Sequence, residues 1–97
     1  MMYVYILRCN DNSYYTGVTN NMEARLEQHQ NATDPKSYTA SRLPVELVFC
    51  ERVSDPEVAI RMEKQLKGWS RKKKEALIRG EFELLPRLSR RGFKPSW

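Results

Sequence analysis

Residues 2–9 alternate bulky side chains without offering a polar face: Tyr3, Tyr5, Leu7 and Cys9 fall on one side of an extended chain, Val4, Ile6 and Arg8 on the other. Such a strand is covered on both sides, so the pattern predicts the central strand of a small sheet. Asn10, Asp11, Asn12 and Ser13 are turn formers, and the aromatic, β-branched run Tyr14 to Val18 follows at once, which predicts a β-hairpin. After Asn20 the period lengthens. Met22 and Leu26 stand one helical turn apart, Asn20 and Glu23 have capping-box spacing, and a helix to about Gln30 is predicted. Arg25 and His29, four residues apart, share one face of that helix beside its apolar stripe. The segment NATDPKSYTASRLP, residues 31–44, has no period and two prolines. It reads as a long loop, and long loops in compact domains are often functional.

Alternation resumes from Val45 to Arg52, with Val45, Leu47 and Phe49 on one face and Glu46, Val48 and Cys50 on the other, predicting a third strand. Ser54-Asp55-Pro56-Glu57 supplies a capping residue, a proline for the first turn and a glutamate at capping-box spacing. A helix to about Lys67 is expected, burying Val58, Ala59, Met62, Leu66 and Trp69. Gly68 ends it, Ser70 caps a further helix to about Arg79, and Gly80 closes that one. The order β-β-α-β-α-α predicts an α+β fold, a three-stranded, mainly antiparallel sheet flanked by helices. Residues 1–80 are expected to form one domain, with residues 81–97 a basic helix or arm docked on it or extending it.

At 97 residues and 40% hydrophobic content the chain suits a single core. No run approaches the roughly 20 apolar residues of a membrane span, and the first residues lack the layout of a signal peptide, which points to the cytoplasm. Cys9 and Cys50 lack metal-ligand spacing and sit in apolar runs, so buried reduced thiols are expected. The net charge of +5 is unevenly spread. Residues 1–60 hold five Lys/Arg against eight Asp/Glu, and residues 61–97 hold twelve against four. A basic C-terminal third suits a polyanionic partner, DNA or RNA, because clustered cations release counterions on meeting phosphates. In the long loop Lys36, Tyr38, Thr39 and Arg42, and farther on Arg71, Lys72, Lys73, Lys74 and the tail RRGFKPSW, mix cations with aromatic groups. That mixture suits backbone tracking with base stacking, as on single strands or flaps.

Tyr5, Tyr15, Arg25, His29 and Glu63 bring together the groups that phosphodiester chemistry needs: phenols to relay protons, a guanidinium fork, an imidazole and a carboxylate. In their order and spacing they resemble the GIY-YIG nuclease superfamily, specifically its small stand-alone bacterial-type members. The first motif stands here as Tyr3-Val4-Tyr5 and the second as Tyr15-Thr16-Gly17. The family's helical arginine matches Arg25, the residue one turn later matches His29, and its metal-binding glutamate matches Glu63 within AIRMEKQLKGW. The resemblance covers about residues 1–80. Two departures stand out. Tyr3 and Val4 replace the Gly and Ile of the family name, and Glu75 falls near the place where many family nucleases carry asparagine.

The resemblance implies a metal-dependent endonuclease that hydrolyses DNA phosphodiesters, in repair or processing. Tyr15 would serve as base or proton relay with Tyr5, and Gly17 would leave room beside the Tyr15 phenol. Arg25 would hold the non-bridging oxygens, His29 would bond to the attacking water or to Tyr15, and Glu63 would hold one Mg²⁺ or Mn²⁺. Each residue also has a plainer explanation. Tyr5 and Tyr15 can fill a core, Arg25 can lay its stem along an apolar edge, His29 can face a helix dipole, and Glu63 can pair with Lys67. Two further functions fit the same residues: a catalytically weak nucleic-acid-binding module, and a subunit that depends on a protein partner.

Overall fold

The computed structural model describes residues 1–80. The expected basic arm of residues 81–97, with its RRGFKPSW tail, lies outside the described residues. The elements are β1 (Met2–Arg8), β2 (Tyr14–Thr19), α1 (Met22–Gln30), β3 (Glu46–Val53), α2 (Pro56–Lys67) and α3 (Arg71–Ile78), in the predicted β-β-α-β-α-α order. Both strand pairings are antiparallel and the sheet order is β2-β1-β3, so the doubly apolar strand is the central one. Val4 and Ile6 enter one core with Val53, Ala59, Met62, Leu66, Trp69, Ala76 and Leu77 from β3, α2, α3 and the α2–α3 link. Tyr5, Leu7 and Cys9 enter another on the opposite face, with Val45, and Met22 and Leu26 of α1 pack against it. The alternation of β1 therefore divides the molecule into an α1 side and an α2–α3 side.

Three local expectations shift. The cap of α1 is Asn21, not Asn20: its side-chain oxygen accepts from the Ala24 N–H at 3.1 Å, which places Glu23 one position short of a capping box. At α2 the cap is Asp55, which accepts from the Glu57 N–H at 2.9 Å and leaves Pro56 at the first helical position, where its missing N–H costs nothing. In β3 a bulge interrupts the register, since Ile6 pairs with Phe49 while Leu7 pairs with Leu47. Val48 is the extra residue, and the bulge sends Leu47 and Phe49, expected on one face, into opposite cores.

Ser70 caps α3 as expected, accepting from the Lys73 N–H at 3.3 Å. Gly80 beyond its end has φ of 77°, a left-handed conformation natural to glycine. Cys9 is buried, but Cys50, on β3 at the edge of the sheet among the described residues, is exposed. No helix among the described residues is long and apolar enough to cross a membrane.

Candidate active site

The site begins where β1 and β2 lie side by side. Tyr5 pairs across the ladder with Gly17, and its phenol turns over that glycine. A Cβ at position 17 would lie 2.5 Å from the Tyr5 oxygen and 2.6 Å from Cζ, distances that real contacts do not reach. Gly17 thus makes room for the tyrosine of the first motif, not for Tyr15 as the sequence suggested. Tyr5 is fully buried.

Helix α1 brings Arg25 and His29 to that phenol. The Tyr5 oxygen lies 3.0 Å from His29 Nε2, and the other ring nitrogen, Nδ1, lies 2.7 Å from Thr39 Oγ1. The charge of Arg25 also acts on the Tyr5 phenol. A neutral imidazole donates from one ring nitrogen and accepts at the other, so the bonds run in one direction through Tyr5, His29 and Thr39, whichever nitrogen carries the proton. The expected partner of His29 was Tyr15 or a water; the structure supplies Tyr5.

Burial sets the proton affinities. Desolvation pushes the Tyr5 phenol up to about 12, with the negative charges of Tyr15 and Glu63 adding to the rise and Arg25 opposing it. His29 is held below its ordinary 6.5, by desolvation first and then by the Arg25 charge. At neutral pH both are therefore uncharged.

Tyr15 packs against this pair, its ring 6.3 Å from that of Tyr5 and 5.2 Å, edge-on, from that of His29. With Arg25, His29, Thr33, Asp34 and Ser37 it lines a hollow of about 340 Å³. Glu63 stands on α2, close enough for its charge to act on Tyr5, and pairs with Lys67 at 2.6 Å across one helical turn. Lys67 in turn lines a second hollow with Tyr15. Tyr5, Tyr15, Arg25 and His29 therefore gather at one place, and Glu63 stands on α2, which packs on the opposite face of the sheet, within reach of Tyr5 by its charge.

Among the described residues no three His, Cys, Asp or Glu side chains cluster as metal ligands. Glu63 offers one carboxylate, already holding an ammonium, so a cation of another kind can occupy the same place. A hard ion such as Mg²⁺ accepts one protein carboxylate when water and substrate oxygens complete its shell, and the donor set fits that. Glu75, at the place of the family's asparagine, is turned elsewhere: it accepts from Arg71 Nε at 3.0 Å and from the Tyr14 hydroxyl at 3.3 Å.

The residues expected to meet nucleic acid divide into two groups. Lys36 and Lys72 are exposed, Lys73 lies over the Trp69 ring at 5.8 Å, and Lys74 lines the second hollow. Arg42 and Arg71 are committed within the protein. Arg42 bonds Asp11 at 3.0 Å and the Tyr38 carbonyl at 2.7 Å while lying 3.9 Å over the Tyr38 ring. Arg71 bonds Glu75 and the Asn12 carbonyl and lies 4.5 Å from the Tyr14 ring. Thr39, read as part of the substrate surface, is fully buried beneath His29. Nothing in its local spacing marks it, because its partner is ten residues away across a loop without period.

Residues 1–76 match the family profile described as the GIY-YIG catalytic domain, and the chain belongs to that family. It is 47% identical over 76 residues to a UPF0213 protein of Staphylococcus haemolyticus, covering 78% of this chain and 92% of that one. A UPF0213 protein of Natronomonas pharaonis is 44% identical over 79 residues, covering 81% and 92% respectively. The solution NMR structure of a UPF0213 protein from Bacillus halodurans superposes with a TM-score of 0.54 at 39% identity, over 92% of this chain and 98% of the other. Family membership implies, in general terms, a nuclease domain with a nucleic-acid substrate.

Proposed function

We propose that the protein is an endonuclease that hydrolyses DNA phosphodiester bonds with the help of a divalent cation, Mg²⁺ or Mn²⁺, held at Glu63. The observation that carries this reading is the bond chain from Tyr5 through His29 to Thr39, set beside the hollow lined by Arg25, His29 and Tyr15. Arg25, on the wall of that hollow, has N–H groups to hold a non-bridging phosphate oxygen, where charge grows in the five-coordinate transition state. Tyr5, bonded to His29 and with its proton tightly held, serves as a fixed support and relay. Tyr15, half-buried and on the wall of the hollow, would act as its phenolate, taking the proton of the attacking water and becoming a neutral phenol. The cation supplies Lewis-acid stabilisation of the phosphate and the departing oxygen. Thr39 positions His29 and thereby Tyr5.

A cleavage panel tests the proposal, with single strands, duplexes, flaps and junctions incubated with Mg²⁺ or Mn²⁺. Wild type should cut at least one of them only when the cation is present, and Glu63→Ala and Arg25→Ala should lower the rate at least a hundredfold. Absence of cutting throughout, or equal rates in the variants, would sink it.

A further inference from the structure

Tyr15 is a wall shared by two hollows. The first holds the groups assigned above, and the second, also about 340 Å³, is lined by Tyr14, Tyr15, Thr16, Tyr38, Lys67 and Lys74. We propose that this second hollow receives one unpaired nucleotide next to the cleaved phosphate, so that the substrate is a single-stranded stretch of DNA and not a continuous duplex. The proposal rests on the nuclease reading for its scissile bond, but on separate residues for its binding.

Two of the lining residues, Tyr38 and Tyr14, are aromatic rings held by arginine. Tyr38 stacks on Tyr15, with centroids 6.0 Å apart and planes at 25°, while Arg42 covers Tyr38. Tyr14 is covered by Arg71 and bonded to Glu75. Both arginines are themselves anchored to carboxylates and backbone carbonyls. Their work is therefore to hold the rings. Rigid, partly exposed rings of this kind suit a flat base that has left its own stack, since base–aromatic stacking is strong and tolerant of sequence.

Two of the polar groups around the hollow, Thr16 and Lys74, lack such partners among the described residues. Thr16 is 3% exposed, and its hydroxyl has no hydrogen bond among the described residues. A buried hydroxyl left without a partner carries a desolvation cost that a ligand atom can relieve. Lys74 is half-buried, with its proton affinity lowered by desolvation, and no carboxylate pairs with it among the described residues. Lys67, paired with Glu63 at 2.6 Å, lies on the same wall. A phosphate brought here would meet two ammonium groups, and a base edge would meet Thr16. A paired base cannot lie against these rings without leaving its duplex, which costs unstacking and unpairing energy.

Binding of a fluorescent twelve-nucleotide single strand and of the same sequence as duplex is to be measured with Glu63→Ala, which keeps the DNA intact. The single strand should bind at least tenfold more tightly. Tyr38→Ala, Lys74→Met and Thr16→Val should each weaken it about threefold or more, with little change for duplex, while Lys72→Met on the open face of α3 should weaken both alike. Equal affinity for the two DNAs, or a preference untouched by Tyr38→Ala and Lys74→Met in folded protein, would overturn the proposal. Failure of wild type to cut any DNA counts against the nuclease reading alone, because the binding preference is measured without cleavage.

Discussion

The most constrained contact in the site joins the glycine of one motif to the tyrosine of the other. A methyl group at position 17 must displace the Tyr5 ring, since Cζ as well as the oxygen is in its way. Gly17→Ala should cost about 1–3 kcal/mol, as overpacking does. Tyr5→Phe in that background should restore only part of it, because the ring remains; denaturant midpoints of the single and double variants check this. A second residue-scale expectation concerns His29. Its proton affinity is lowered on folding, so its contribution to stability is complete above the unfolded value of 6.5 and is lost as pH falls below it. Wild type should lose stability from pH 6.5 downward more steeply than His29→Gln, as read from unfolding midpoints across that range.

At the scale of elements, α1 carries two site residues on nine, so the position of its first turn matters. Asn21→Ala should cost about 1 kcal/mol as loss of a cap, whereas Asn20→Ala should stay within about 0.5 kcal/mol. Chemical denaturation of the two variants separates them. The same helix shows what could be read from spacing. Arg25 and His29 on one face follow from an i, i+4 rule, and β1 as central strand follows from its lack of a polar side. Adjacent candidate caps, Asn20 with Asn21 and Ser54 with Asp55, could not be separated by pattern, because either residue type suits the position. The bulge at Val48 was equally hidden, since alternation was the very assumption that it breaks.

At the scale of the molecule, the fold joins two groups of site residues from opposite faces of one thin sheet. The class of fold and the nearness of Tyr5, Tyr15, Arg25 and His29 were legible because motif order survives without knowledge of the turns between them. The long-range partners were not. Asp11 with Arg42, Asn12 with Arg71 and Tyr14 with Glu75 are 31, 59 and 61 residues apart, so Arg42 and Arg71 looked like free cations. With those two occupied, binding to DNA falls to fewer charges than the net +5 implies. The affinity of Glu63→Ala for single-stranded DNA should accordingly decline with log salt at a slope matching about two to five neutralised phosphates, measured by anisotropy between 50 and 300 mM salt.

His29 is the only histidine in the chain, and each of its ring nitrogens is occupied, one by Tyr5 and the other by Thr39. It therefore resembles a sealed functional group. A reagent that acylates imidazole needs a free lone pair, and neither nitrogen offers one until its bond to Tyr5 or Thr39 breaks. The modification rate would then report how often α1 and the Tyr38–Thr39 loop part from the sheet, a property of local opening and not of global unfolding. One absorbance trace, with no added label, would time the breathing of the site.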